Sequence, residues 1–165
     1  MSFAELSSQT LPATLRVVLM SGDWIPLSLP DRIRALSRNS SLQVISLGGA
    51  TEASVWSNLY SIPPGGPGPG WGSIPYGRPL LNQELLVLND SLKHCEYWVG
   101  GELYLAGMGV ARGYHQAPSL TKAHFISHPV SREPMFRTGD LGRLRPTGEV
   151  ELLGRKDLQV RCCCW

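Results

Sequence analysis

No run of apolar residues in this 165-residue chain approaches the roughly 20 that a membrane-spanning helix needs. The first ten residues, MSFAELSSQT, lack the basic region and apolar core of a signal peptide. The 15 basic and 13 acidic residues form no long run of one sign, which nucleic acid or an anionic membrane would require. We therefore expect a cytoplasmic protein without membrane or nucleic-acid partners.

Cysteine is scarce and poorly spaced for a disulfide framework or a zinc site. Cys95 stands alone, and three adjacent cysteines at 162–164 precede the final tryptophan. We interpret these cysteines as free thiols, with a metal-binding or redox tail as the alternative. His124 and His128 are spaced for one helix face, but Pro129 and the lack of a third ligand argue against a metal site.

Two short β-branched apolar runs, LRVVLM (15–20) and LQVISL (42–47), flank a segment with helical periodicity. Ser28 can cap this helix, and Pro30 suits its first turn. Strands that are apolar at successive positions are usually buried on both faces, as in a parallel sheet with crossover helices. Residues 1–60 are therefore predicted to form the last part of an α/β subdomain.

A Pro/Gly-rich stretch at residues 61–79 is predicted to be a connecting loop. It lacks the Lys-Ser or Lys-Thr that ends a P-loop. Beyond it, QELLVLND, GELYLAG, LGRLRP and GEVELLG are bounded by turn residues, which predicts a small β-rich subdomain over residues 80–157. One short helix is expected near SLTKAHF, capped by Ser119, and residues 158–165 form an aberrant tail.

The sequence GGATEAS (48–54) follows the second apolar run directly. Ligands of α/β folds bind at such turns, because backbone N–H groups at the carboxyl ends of parallel strands converge on anionic oxygens. Gly49 and Ala50 would supply that backbone, Thr51 a hydroxyl for phosphate, and Glu52 an oxygen ligand for Mg²⁺. The alternative is a turn in which the threonine only caps a helix.

A second tight turn is predicted at RTGDLG (137–142), where it would present the carboxylate of Asp140 to the two hydroxyls of a ribose. An aspartate that satisfies its own turn backbone is the alternative. Arg155, in GRKD, has the planar guanidinium that suits phosphate or ribose. An exposed arginine at a strand end is the simpler interpretation of that residue.

The order GGATE, YGRP, GELYLAGMGVARGYHQAPSLTKAHF, FRTGDL and GRKDLQV resembles the adenylation domains of nonribosomal peptide synthetases, within the acyl-adenylate-forming superfamily. The resemblance runs from about residue 11 to residue 161. It implies a partial N-terminal core in which the end of an α/β sheet precedes a small β-barrel-like subdomain. It also implies that an amino-acid carboxylate attacks the α-phosphate of ATP and displaces pyrophosphate. The aminoacyl-AMP is then transferred to the phosphopantetheine thiol of a partner carrier protein.

The resemblance also implies a role for each site residue. Thr51, Glu52 and Arg155 would act in catalysis, with Thr51 on phosphate and Glu52 on Mg²⁺. Asp140 would hold the ribose hydroxyls, and Arg155 would assist at ribose and phosphate. Asp157 would be the hinge about which a C-terminal lid rotates.

The positions that line the side-chain pocket in this family fall on Leu19, Ser21, Leu47, Val55 and Trp56. They imply a compact pocket, apolar apart from one hydroxyl, for a small uncharged side chain. This set of residues and the sequence GGATEASVWSN most resemble those of the cysteine-activating adenylation domains of siderophore and thiazoline-forming synthetases.

The chain departs from the family pattern at four places. The phosphate loop ending in Lys-Gly and the C-terminal lid with its lysine are missing, and Gly48 and Leu152 stand where aromatic residues are frequent. We therefore expect a truncated or frameshifted fragment that is inactive alone and stacks a base weakly. A noncatalytic nucleotide-binding or synthetase-docking module is the main alternative, and an active acyl-CoA or aryl-acid ligase relative is another.

Overall fold

The computed structural model describes residues 10–156, which form two β-sheets joined by residues 80–82. The first sheet contains β1 (Val17–Met20), β2 (Gln43–Gly48), β3 (Asn58–Ile62) and β4 (Arg78–Pro79), in that spatial order. Helix α1 (Leu29–Ala35) connects β1 to β2, and these two strands are parallel. The predicted strand, helix and strand are therefore confirmed. Strand β3, which pairs antiparallel with β2, was not predicted.

This first sheet is covered mainly on one face by the described residues. Val44 and Ile62 are buried beneath α1 and beneath Ile74 of the loop. On the opposite face, Val17 and Leu19 are 41% and 52% exposed. The prediction that both faces are buried is therefore wrong for the described part of the chain, because the helix and the loop lie on the same side.

Both helices begin differently from the prediction. Ser28 precedes α1 with helical backbone angles, and its side chain makes no capping hydrogen bond. Helix α2 (Pro118–His124) begins one residue before Ser119, which therefore lies inside the first turn. Ser28 therefore stands at the N-cap position without capping by its side chain, and Ser119 is not at that position at all. Each helix has a proline among its first two residues, Pro30 in α1 and Pro118 in α2, whose fixed φ suits a first turn. Neither helix of residues 10–156 is long and apolar enough to cross a membrane.

The second sheet is antiparallel throughout. It contains β5 (Gln83–Leu88), β6 (Gly100–Gly107), β7 (Phe125–Ser127), β8 (Pro134–Leu144) and β9 (Val150–Arg155). The spatial order is β5-β6-β8-β7, with β9 also paired to β8. The four predicted strands are confirmed. The predicted turn at RTGDLG is wrong, because residues 137–142 lie inside β8, whose backbone pairs with β6 and β9.

Strand β6 is buried on both faces and forms the centre of the second sheet. Leu103 and Leu105 are fully buried on one face, and Tyr104 and Ala106 are buried on the other. Ala53, from the segment after β2, packs with Leu105 in a common cluster. This contact fixes the GGATE turn of the first sheet against the second sheet.

The predicted loop, residues 61–79, begins within β3 and ends in β4, which both belong to the first sheet. Its middle part, residues 63–77, is the connecting loop between these two strands, and it is held against the second sheet at two points. The N–H groups of Tyr76 and Gly77 donate to the carbonyl of Val150, at 2.9 and 3.3 Å. The guanidinium of Arg145 donates to the carbonyl of Gly70 at 2.5 Å and lies 4.1 Å from the ring centre of Trp71. Although it contains no long helix or strand, the loop therefore has a defined path that brings residues 73–76 back to the first sheet.

Candidate functional site

A cleft lies at the carboxyl ends of β1 and β2. One wall is the turn after β1, a second is the end of β2, and the third comes from the loop and from β9. The lining residues are Ser21, Gly22, Asp23, Trp24, Ile25, Ser46, Leu47, Gly48, Gly49, Ser73, Ile74, Pro75, Tyr76 and Leu152. The carboxyl ends of adjacent parallel strands are where open α/β sheets place their ligands. The turn after β1 and the first two residues of the GGATE turn, Gly48 and Gly49, thus line one cleft.

The backbone at the end of β2 requires glycine at one position. Gly49 has φ +148°, and a Cβ there would lie 2.5 Å from the carbonyl oxygen of Val55 and 2.7 Å from the amide nitrogen of Ser57. No side chain fits in that space. The chain then makes a single 3₁₀ turn, Thr51–Ala53, that follows the extended residue Ala50. The glycine therefore brings the main chain close to the cleft and starts the turn that carries Thr51 and Glu52.

Glu52 is held by a tyrosine to which the sequence analysis assigns no role. The hydroxyl of Tyr114 donates to Oε1 of Glu52 at 2.6 Å, and the amide of Ala111 donates to the Glu52 carbonyl at 2.8 Å. Burial, together with this hydrogen bond, raises the pKa of Tyr114 to about 12. The tyrosine therefore stays protonated at neutral pH and fixes the orientation of the carboxylate. Thr51 is exposed beside it.

Asp140 and Arg155 form an ion pair across β8 and β9. Nη1 of Arg155 lies 3.0 Å from Oδ1 of Asp140, and the two side chains are 19% and 4% exposed, respectively. The pairing register shifts between Leu141 and Gly142, so that Leu153 has no partner on β8. Directly opposed residues share a face of the sheet. The bulge therefore places Arg155 on the same face as Leu152, which lines the cleft.

The five predicted pocket residues do not all meet. Ser21 and Leu47 line the cleft. Leu19, Val55 and Trp56 do not line it, and they are 52%, 57% and 42% exposed. The hinge residue of the sequence analysis, Asp157, lies outside the described residues.

The histidine pair is separated by the structure. His124 ends α2, and His128 lies beyond β7. No group of three or more His, Cys, Asp or Glu side chains in residues 10–156 is arranged to hold a metal ion. The rings of His124 and Phe136 stack with centroids 6.2 Å apart, so this histidine belongs to an aromatic cluster.

The sequence assigned no role to Trp24 and Tyr76, which are the two aromatic residues that line the cleft in the part of the chain that the structure describes. Both occur in recognisable motifs, SGDW and YGRP, but each motif describes only a local backbone path. Their positions beside the end of β2 depend on the crossover connection and on the loop. No local signal could have brought them together.

The AMP-binding enzyme family matches residues 2–115. The chain belongs to this family. Bacitracin synthase 1 of Bacillus licheniformis is 49% identical over 147 residues, which are 89% of this chain and 3% of that protein. Pyochelin synthetase PchF of Pseudomonas aeruginosa is 46% identical over 146 residues, which are 88% of this chain and 8% of that protein.

The adenylation-type fold also has solved counterparts. Structures of the nonribosomal peptide synthetase FmoA3 in an AMPPNP-bound form and an α-methyl-L-serine-AMP-bound form each superpose with a TM-score of 0.81 and 43% identity. The match to the AMPPNP-bound form covers 87% of this chain and 15% of the FmoA3 chain. The match to the α-methyl-L-serine-AMP-bound form covers 90% and 16%, respectively. The chain is thus a segment of a nonribosomal peptide synthetase adenylation domain, and the predicted family and fold class are confirmed.

Proposed function

We propose that this segment supplies part of a site that binds ATP and an amino acid and forms an aminoacyl-adenylate. The adenylate would then react with the phosphopantetheine thiol of a partner carrier protein. The proposal rests on the cleft at the ends of β1 and β2, together with the Asp140–Arg155 pair on the same face of β9 as a cleft residue.

The spacing of these features suits a nucleotide. Leu152 and Arg155 are three residues apart on one strand, which is about 10 Å at roughly 3.3 Å per residue. A nucleoside has similar dimensions. With the base in the cleft near Leu152, the ribose hydroxyls would reach Asp140. An ionised carboxylate accepts several hydrogen bonds, so its pairing with Arg155 is compatible with accepting hydroxyl donors as well.

Glu52 has a carboxylate that suits the role of a magnesium ligand. Mg²⁺ in nucleotide sites is commonly held by one or two carboxylates together with the substrate phosphates. Glu52 offers one carboxylate, oriented by Tyr114, beside the hydroxyl of Thr51. The ion would neutralise charge that builds on the phosphate oxygens, while this chain would position the carboxylate that holds it.

For the amino acid, we propose a small uncharged side chain, with cysteine as the first candidate. Ser21 and Leu47 combine one hydroxyl with one apolar wall in the cleft. Leu19 is in β1, two residues before Ser21, and its side chain is exposed on the open face of the first sheet. Such a surface favours a compact, neutral side chain over a charged one.

We further propose that the isolated segment binds nucleotide but does not catalyse adenylation. Transfer at phosphorus requires cationic groups aimed at the phosphate oxygens. Among residues 10–156, Asp23 is the one charged residue that lines the cleft, and no lysine or arginine lines it. Arg155 is engaged with Asp140. A lysine from outside residues 10–156 would have to complete the site.

A docking module is the second candidate, and the open face of the first sheet favours it. Val17 and Leu19 expose apolar surface there. A surface of this kind is typical of protein contacts. In this case, the chain would act only when it is packed against a partner synthetase.

Two measurements on the purified chain separate these functions. We expect calorimetry to detect AMP binding that Asp140→Asn abolishes and that Asp90→Asn, at a 94% exposed side chain, leaves unchanged. We expect no amino-acid-dependent exchange of pyrophosphate into ATP above background. Robust exchange would refute the claim of inactivity. A failure to bind AMP would refute the nucleotide site and favour the docking module.

A further inference from the structure

We propose that Tyr76, from the connecting loop, supplies the aromatic face on which the purine base stacks, and that Gly48 is a glycine in order to seat this ring. The inference rests on the proposed nucleotide site. It revises the expectation of weak stacking, which came from the missing aromatic residues at Gly48 and Leu152.

The ring of Tyr76 occupies the space that a side chain on Gly48 would need. A Cβ on Gly48 would lie 2.7 Å from Cδ2 of Tyr76 and closer still to Cε2. Gly48 does not have a positive φ, so its backbone would tolerate another residue. A Cβ there would also lie 2.5 Å from Nδ2 of Asn58, so the neighbouring ring and this amide together require glycine. Both residues line the cleft.

Tyr76 is held from both sheets before any ligand arrives. Its amide donates to the carbonyl of Val150 on β9 at 2.9 Å, and its carbonyl accepts a hydrogen bond from the side chain of Asn58 on β3. The next residue, Gly77, has φ +98° and exchanges a second backbone hydrogen bond with Val150. The ring also packs against the cluster of Val150 and Leu103. Such support lowers the cost of ordering a stacking surface at binding.

The chemistry of the cleft at this point suits a base. A half-buried aromatic ring presents a flat apolar face, on which any base can stack because every base has a π-face. Ser46 and Ser73 also line the cleft, and both are at least nine-tenths buried. Their hydroxyls offer donors and acceptors to the edge of a purine.

The test compares AMP with ribose 5-phosphate, which lacks the base. AMP affinity is measured by calorimetry, and ribose 5-phosphate affinity by its competition with AMP. We expect Tyr76→Leu to lower the affinity for AMP by roughly 5- to 100-fold, which is the range for the loss of one base–aromatic stack. The affinity for ribose 5-phosphate should not change in Tyr76→Leu. The AMP affinity of Tyr76→Phe should lie within about twofold of that of the parent. Tyr97→Leu, at a 54% exposed tyrosine outside the cleft, is the matched control.

A swap of the two positions gives an independent test. Gly48→Phe should lower the affinity for AMP, because the new side chain would overlap the ring of Tyr76. Adding Tyr76→Gly should restore part of the affinity by returning a single ring to that space, while the contact of the new side chain with Nδ2 of Asn58 remains.

Each outcome decides a specific point. AMP binding that Tyr76→Leu leaves unchanged would overturn the role of Tyr76 and leave the nucleotide site standing. Equal losses for AMP and ribose 5-phosphate would also overturn stacking, because the ring would then only support the cleft wall. If the parent chain does not bind AMP, both the nucleotide site and this inference fail.

Discussion

Arg145 is the charged residue on which the path of the connecting loop most depends, and its replacement by methionine should be costly. Its guanidinium lies 2.8 Å from Oε2 of Glu151, with the two side chains only 7% and 8% exposed. It also donates to the carbonyl of Gly70 and lies 4.1 and 4.4 Å from the ring centres of Trp71 and Trp98. Methionine would keep most of the packing and remove the charge.

The expected loss follows from this burial. Removing one partner of a buried ion pair typically costs about 3–5 kcal/mol, because the other charge is left without compensation. Glu151 would keep Arg143, whose Nε lies 2.7 Å away. We therefore expect a loss near the lower end, about 3 kcal/mol, which is a large part of a typical domain stability of about 5–15 kcal/mol. AMP binding should also weaken, since the loop carries Tyr76.

Urea unfolding monitored by tryptophan fluorescence measures this change as a shift in midpoint. Arg143→Met is the matched control. Its side chain is 33% exposed, so we expect a cost of no more than about 1 kcal/mol. The double variant Arg145→Met/Glu151→Leu should recover much of the stability, because no buried carboxylate then remains unpaired. Equal losses for the two single arginine variants would refute this account of the loop.

Two further predictions concern titration. Burial alone would raise the pKa of Glu102, but hydrogen bonds from Arg137 and Lys156 outweigh it and hold that pKa below the ordinary value of 4.5. The carboxylate therefore stabilises the fold above pH 4.5, and this contribution is lost as the pH falls through the lowered pKa. In denaturation curves, the stability advantage of the parent over Glu102→Gln should be full at pH 7 and shrink toward pH 3; an advantage independent of pH would contradict the ion-pair assignment. Ultraviolet titration should find one tyrosine with a pKa of about 12, which Glu52→Gln moves back toward 10. A titration curve that Glu52→Gln leaves unchanged would mean that Tyr114 does not hold this carboxylate.

Much of the local structure could be predicted because its causes are local. The runs that became β1 and β2 are β-branched and apolar, and Pro30 lies in the first turn of the helix between them. The strands of the second half are bounded by turn residues that end each one. Strand β3 was missed because its sequence, NLYSI, is short and its last two residues fall within the stretch of residues 61–79 that was predicted to be a loop. Its pairing with β2 over five residues, not its own composition, makes it a strand.

The site residues also depend on contacts between distant parts of the chain that their local sequence does not predict. Asp140 was expected in a turn because Thr-Gly-Asp has turn composition, yet pairing with β6 and β9 holds it inside a strand. A side chain that accepts a hydrogen bond from a residue far along the chain cannot be recognised from its neighbours. Glu52 and Tyr114 are 62 residues apart, and their contact depends on how the GGATE turn docks on the second sheet.

From the amino-acid sequence alone follow the family, the parallel β1 and β2, four of the five strands of the second sheet and the glycine turn at the end of β2. These follow from residue spacing and backbone preference, which act over a few residues. Only the tertiary structure placed the ring of Tyr76 over Gly48, and only the bulge at Leu153 put Arg155 on the face that holds Leu152. Those contacts arise from loop paths and strand register, because packing across two sheets decides which distant side chains meet.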